Sequence, residues 1–460
     1  MVVSWKKIHD TIVVLGRVRR HPAPQALIQD DWRKCNMQMN GERELELLKK
    51  IGFTRVAGSE EEYRAAEILK AECEAIGVPA VIEPFEIEDA VIKTAKLEIL
   101  EPFCQEYAVT GYKCAENTPA EGLAAEFLYV ENATEVDLRE ARGKIVLVNG
   151  FLRVPLFQKL MKAGVAGIIT MEGELRDRPE ETDLSTRKLR RTLRAFGNVP
   201  MVHVRVKDAM DFVARGAAKA RIVLDNETVE RTSHNVIATV LGTEKPEEVV
   251  SFGAHYDSVD YSTGVYDNGA GSVINMEILR YFRENPPRRT VKFMWYGSEE
   301  IGLEGSWAYV KSHQEQLRDH LLMINVDVGG PVLGVDKIAV TAEDKLAFYL
   351  EYFTKIHGYS AEVRQGIYSS DSIPFADSGV PAVNFSRDGA PGAAYIHNRF
   401  DTLDFLCAQA LEKTTAHVLA FGEAVINAAV FPVERKIPQN IAEEVEKYLY
   451  KKELSEAQAE

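Results

Sequence analysis

The chain has 460 residues, 46% of them hydrophobic, which is length and apolar content for roughly three average domains of an enzyme-sized globular protein. A formal net charge of -15 with no long basic block excludes the electrostatic footprint of a nucleic-acid binder, and no run reaches the ~18 apolar residues of a membrane span. Five scattered cysteines (Cys35, Cys73, Cys104, Cys114 and Cys407) form neither a disulfide framework nor a thiolate metal site, which predicts a reducing, cytoplasmic setting.

Residues 1–36 are basic against an acidic chain and precede Met37 and Met39. They read as an N-terminal extension outside the fold, with an ordinary N-terminal helix as the other reading. The early apolar patch "TIVVLG" is short and lacks a small-residue cleavage site. From Asn40 the pattern is regular. "RELELLKKIG" predicts a helix, and "SEEEYRAAEILKAECEAIG" a second one whose Ser59 precedes an acidic first turn. "AVIEPFEI" and "AKLEIL" predict two strands.

Between about 110 and 231 the texture changes. "GKIVLVNG" predicts a buried strand, "LFQKLMKAGVAG" a helix, "IIT" a strand, and "VPMVHVRVKDAMDFVARG" a strand and a helix. Met171 to Asn198, with Arg187, Lys188, Arg190, Arg191 and Arg194, reads as a solvated loop or helix, with a lid over a crevice as the functional alternative. After Ser233 come the apolar strands "NVIATVLG", "EEVVSFGA", "RTVKFMWYG", "LLMINVDV", "KIAVTA" and "VPAVNFS", several without alternation, as in sheets covered on both faces. The economical architecture is α/β: a mostly parallel or mixed sheet sandwiched by helices, discontinuous over 37–109 and 232–460, with a smaller α/β domain inserted at 110–231.

Acids and histidines gather where strands end, which is where ligands bind in open α/β sheets. His255 closes one strand, Glu299 and Glu300 follow another, and Asp327 follows a third; Asp267 lies in "GVYDNGAGS" and His397 in "YIHNRFDTLD". So many acids in one crevice repel, and divalent cations remove the repulsion. Imidazole nitrogen with carboxylate oxygen suits zinc, and manganese or cobalt could occupy the same ligands. Asp257, two residues after His255, and Asp401, four after His397, are spaced to accept the free ring N–H of each histidine.

The ordered set "HYD" (255–257), "YDNGAG" (266–271), "SEEIGLEGS" (298–306), "NVDVGG" (325–330), "SSDSIPFADSGVPAV" (369–383) and "IHNRFDTLD" (396–404) resembles the co-catalytic di-zinc exopeptidases, the bacterial aminopeptidases and glutamate carboxypeptidases. The 110–231 insert resembles a protease-associated domain. The resemblance implies two zinc ions bridged by Asp267, with His255 and Asp327 completing one site and Glu300 and His397 the other. It makes Glu299 the general base and Tyr368 a candidate for oxyanion stabilisation, although Tyr368 stands closer to Asp371 than is usual in the family. It also implies a cis peptide bond between Asp267 and Asn268.

The expected activity is removal of residues from a peptide terminus, as an aminopeptidase. A carboxypeptidase is the alternative if Arg364, Arg387 or Arg399 receives a substrate carboxylate, and a glutaminyl-cyclase-like transferase or a metal-free receptor-like binding protein are the others. The expected partner is a peptide substrate, with neither nucleic acid nor membrane. Oligomeric state is not legible.

Overall fold

The computed structural model describes residues 39–178 and 182–459, so the reading of residues 1–36 lies outside the described residues. Local signals set the first elements. Asn40 caps the helix Gly41–Ile51 by accepting from the Arg43 N–H, and Ser59 caps Glu60–Ile76 by accepting from the Glu62 N–H at 3.1 Å. The second helix ends at Gly77 in the left-handed conformation.

The strands of the described residues are β1 (Ala80–Glu101), β2 (Gln105–Tyr107), β3 (Val109–Lys113), β4 (Leu123–Tyr129), β5 (Ile145–Leu147), β6 (Gly167–Glu172), β7 (Arg187–Lys188) and β8 (Met201–Arg205). They continue with β9 (Lys219–Val240), β10 (Lys245–His255), β11 (Arg289–Tyr296), β12 (His320–Val326), β13 (Gly334–Thr341), β14 (Ala361–Gln365) and β15 (Ala382–Gly389). The sheet runs β14-β13-β15-β12-β10-β11-β9-β4-β5-β6-β8-β3-β7, with β1 alongside β9. It is mixed: β10 is parallel to β11 and β12, β12 to β15, and β13 to β14, while β9 and β11, and β13 and β15, are antiparallel. Helices such as Ala270–Glu284 and Ala408–Ile426 bury broad apolar faces.

Two sequence expectations need correction. The strands expected at "AVIEPFEI" and "AKLEIL" are one, β1, paired with β9 from Ala80 opposite Ala238 to Glu101 opposite Lys219. Its middle reads as polar because Asp89 is buried against Lys113 (3.0 Å) and Arg231 (2.8 Å) rather than left in solvent. The charged 171–198 segment is also not simply solvated. Thr182, Asp183, Leu184 and Ser185 are buried, as are Leu189 and Leu193, and Arg187 and Arg194 pair with Glu172 and Glu88.

A hydrophobic cluster that includes Leu97, Ile145, Phe157, Ile168, Phe212 and Leu224 lies among β1, β5, β6 and β9 and the helices Val154–Ala163 and Val206–Ala214. Beneath the strand ends that matter for chemistry, Phe252 of β10 and Phe293 of β11 stack at 5.2 Å between ring centroids, with Trp295 next along. Each buried ring of this kind contributes about 1.5–3 kcal/mol, which fixes the β10–β11 register. That register sets His255 opposite Tyr296, and Gly253 opposite Asn325 on β12, so Asp327 continues to the level of His255.

Among the described residues, Cys73, Cys104, Cys114 and Cys407 are free, and no helix is long and apolar enough to cross a membrane.

Candidate metal centre

The strand ends bring the sequence-predicted acids and histidines together. His255, Asp267 and Asp327 form one triad, all buried, with His255 Nε2 3.1 Å from Asp267 Oδ1 and 3.7 Å from Asp327 Oδ1. Asp267, Glu300 and His397 form a second, with His397 Nε2 3.1 Å from both Asp267 Oδ2 and Glu300 Oε2. Asp267 therefore gives one oxygen to each group. In the first triad His255 closes β10 and Asp327 directly follows β12; His397 sits on a loop, at φ +58°, with 45% of its side chain exposed.

The turn that carries Asp267 is braced from several sides. The Asp267–Asn268 peptide is cis, as the family resemblance implies. Asn268, fully buried, donates to Val326 O (2.9 Å) and accepts from Val328 N (3.1 Å) and Gly271 N (2.9 Å), which ties the turn to both neighbours of Asp327. A Cβ at Gly271 would lie 2.4 Å from Val326 O, so this approach requires glycine.

Asp401 does not hold the His397 ring as its spacing suggested. Its carboxylate accepts the main-chain N–H groups of Tyr266 (2.9 Å) and Asp267 (3.2 Å), because the chain turns inward after Phe400 and buries it beneath the bridging acid. Burial pushes its carboxyl up to about 7 against the pull of those N–H groups. Asp257 Oδ1 stands 3.4 Å from His255 Nδ1, longer than an ordinary hydrogen bond. Its closer contacts are with the Glu299 N–H (2.9 Å) and Glu300 N–H (3.2 Å), so one carboxylate grips the backbone of both adjacent glutamates.

Electrostatics and chemistry both test whether cations fit. Burial pushes Glu299 well above the usual carboxylate range; His255 opposes this and Glu300 adds to it. Burial likewise raises Glu300, against the charge of His397. Glu300, with burial opposing, lifts His397 to about 12, so protons on the imidazoles would be the counter-charge of these acids. A tetrahedral zinc with bonds of about 2.0–2.2 Å has ligand-to-ligand edges of about 3.3–3.6 Å. The 3.1–3.7 Å spacings come within about 0.2 Å of those edges, and one oxygen of Glu300, Oε1, is buried without a hydrogen-bond partner. Donor type, spacing and uncompensated charge therefore fit a pair of zinc ions, with Glu299 outside both triads.

Tyr368 is half-buried; burial raises its hydroxyl pKa, with Asp327, Asp388 and Asp267 adding to the shift. The three arginines considered for a substrate carboxylate are engaged. Arg387 is buried against Asp336 (3.1 Å) and Pro331 O (3.0 Å), Arg364 donates to Ile367 O (2.9 Å), and Arg399 meets Asp183.

Sequence reasoning missed Arg55 and Glu62. Arg55 is fully buried and donates to the carbonyls of Ile51, Phe53, Tyr256, Thr263 and Gly264. Burial lowers its pKa to about 10, against the raising charges of Asp401, Asp257 and Asp267. Glu62 accepts from Ser233 Oγ (2.9 Å) and Ser298 Oγ (3.1 Å), directly before the glutamate pair. A lone arginine in a loop and a glutamate in a helical first turn carry no sequence signal of burial.

Residues 235–422 match the model of Peptidase family M28. The chain is 24% identical over 408 residues to carboxypeptidase Q of Bos taurus, covering 84% of each protein. It is 25% identical over 428 residues to aminopeptidase YwaD of Bacillus subtilis, covering 86% of this chain and 87% of that one. Its fold matches the solved zinc aminopeptidase BSAP of Bacillus subtilis with a TM-score of 0.70 at 20% identity, over 87% of this chain and 99% of that one. The matched stretch, residues 235–422, contains both triads and Glu299.

Proposed function

We propose that the chain is an aminopeptidase that works with two zinc ions, one held by His255, Asp267 and Asp327 and one by Asp267, Glu300 and His397. The observation that carries this is the pair of triads sharing Asp267, with Glu299 buried beside them outside either set. Zinc, when bound there, makes water a nucleophile near neutral pH and polarises the scissile carbonyl. Glu299 takes the proton of the attacking water and delivers it to the amine as the C–N bond breaks. Asp257 fixes Glu299 and Glu300 through their N–H groups, and Tyr368 offers its hydroxyl to the developing oxyanion.

The free N-terminus is the substrate end recognised. Support comes from the surplus of carboxylates, which suits an ammonium group, and from the engagement of Arg364, Arg387 and Arg399 within the protein. Acetylating the amine of a good peptide substrate is expected to abolish cleavage, while amidating its carboxyl end changes it little. Cleavage of the acetylated peptide with resistance of the amidated one would make the enzyme a carboxypeptidase. Two complete triads favour hydrolysis over single-zinc cyclisation, and the same assay with an N-terminal glutaminyl peptide separates ring closure from cleavage.

We also assign 110–231 as a protease-associated domain inserted into a peptidase domain of 37–109 and 232–460, a reading supported by the hydrophobic cluster between Leu97 and Leu224. A cytoplasmic location is supported by scattered cysteines that are free among the described residues.

A further inference from the structure

The two triads differ in what holds them. His255 and Asp327 follow packed strands and are 1% and 5% exposed, whereas His397 rides an exposed stretch beyond β15. Asp401 anchors the far end of that stretch beneath Asp267. Two residues after His397, Arg399 leaves the loop for the buried carboxylate of Asp183: its Nε lies 2.8 Å from Oδ1 and 2.9 Å from Oδ2, and its Nη2 also donates to Oδ1. A second contact comes from the same segment, where Arg190 Nη2 donates to the main-chain oxygen of Glu300 at 3.1 Å. A third joins Thr186 N to Asp260 Oδ2 at 3.0 Å, on the loop between His255 and Asp267.

We propose that Asp183 is a positioning residue for the second metal triad: through Arg399 it fixes the loop of His397, while Arg190 steadies Glu300 from the same segment. The inference rests on the two-zinc reading above. The geometry favours a positioning role over a simple surface ion pair. A two-oxygen pairing with a guanidinium sets direction as well as distance, and the Asp183 side chain is 5% exposed, so solvent screens it little. The segment expected to be a solvated loop thereby becomes part of the centre, and it touches the flanks of both ligands that the second triad does not share.

The test is calorimetric zinc titration of the full chain, stripped by chelation, for the wild type, Asp183→Asn and Asp183→Glu, with thermal melting of each apo form. The wild type is expected to take two equivalents. Asp183→Asn should weaken the second by about 10–100-fold, the usual cost of losing an outer partner, and leave the first within about twofold. Asp183→Glu, which keeps the charge, should recover much of the loss. Two unchanged equivalents in Asp183→Asn would overturn the inference. So would equal weakening of both together with a lowered melting temperature, since Asp183 would then serve the fold alone. A wild type that takes one equivalent would overturn the two-triad reading, and the inference with it.

Discussion

Replacing Glu299 by glutamine is expected to lower turnover by about 10²–10⁴, the range for losing a general base, while zinc content and melting temperature hold. The side chain belongs to neither triad, so its neutral isostere removes no ligand. Asp257 grips the backbone N–H of residue 299 rather than its side chain, so the turn survives the change. The amide also removes a like charge from beside Glu300 and Asp371, which favours stability. Steady-state kinetics alongside metal analysis checks this. Near-normal turnover would move the proton-transfer role elsewhere, with buried Asp371 the next group to examine.

The second large effect falls on stability. Arg55→Met should cost about 3–5 kcal/mol, the penalty for breaking a buried charged network by removing one member. Its guanidinium gathers carbonyls from both sides of the 256–264 loop, and its main chain exchanges hydrogen bonds with Ser258 (3.0 and 3.1 Å). Methionine fills similar volume and leaves those carbonyls and the nearby Asp401 uncompensated. The loop leads straight into Asp267, so zinc affinity should fall as well. Denaturant unfolding would show a lower midpoint at unchanged slope. A loss under about 0.5 kcal/mol, within the range of an ordinary surface substitution, would mean that water replaces the guanidinium without cost.

Strand ends, apolar runs and the convergence of acids and histidines were legible because each strand end or turn is marked by residues close together in sequence. His255, Asp267, Glu300, Asp327 and His397 were singled out by their positions after strands or in turns, while their assignment to two metal sites came from the family resemblance, and the structure brings them into two groups. What spacing could not reveal is where a side chain goes once the fold supplies competing partners. Asp401 was near enough to His397 to suggest contact, yet the chain buries it under the Tyr266 and Asp267 amides. Asp257 was expected on one histidine and is closer to two main-chain N–H groups of residues more than forty positions away. The single strand β1 was read as two segments, because the partners of the acidic residue between them, Lys113 and Arg231 against Asp89, lie on other strands. Asp183 and Arg399 are 216 positions apart, beyond any local pattern.

The central claim, hydrolysis by a pair of zinc ions bridged at Asp267, is tested most directly by zinc stoichiometry measured with peptidase activity on the same gently purified, zinc-supplemented sample. Two ions per chain at full activity is the result the geometry predicts. One ion per chain with full activity would contradict it.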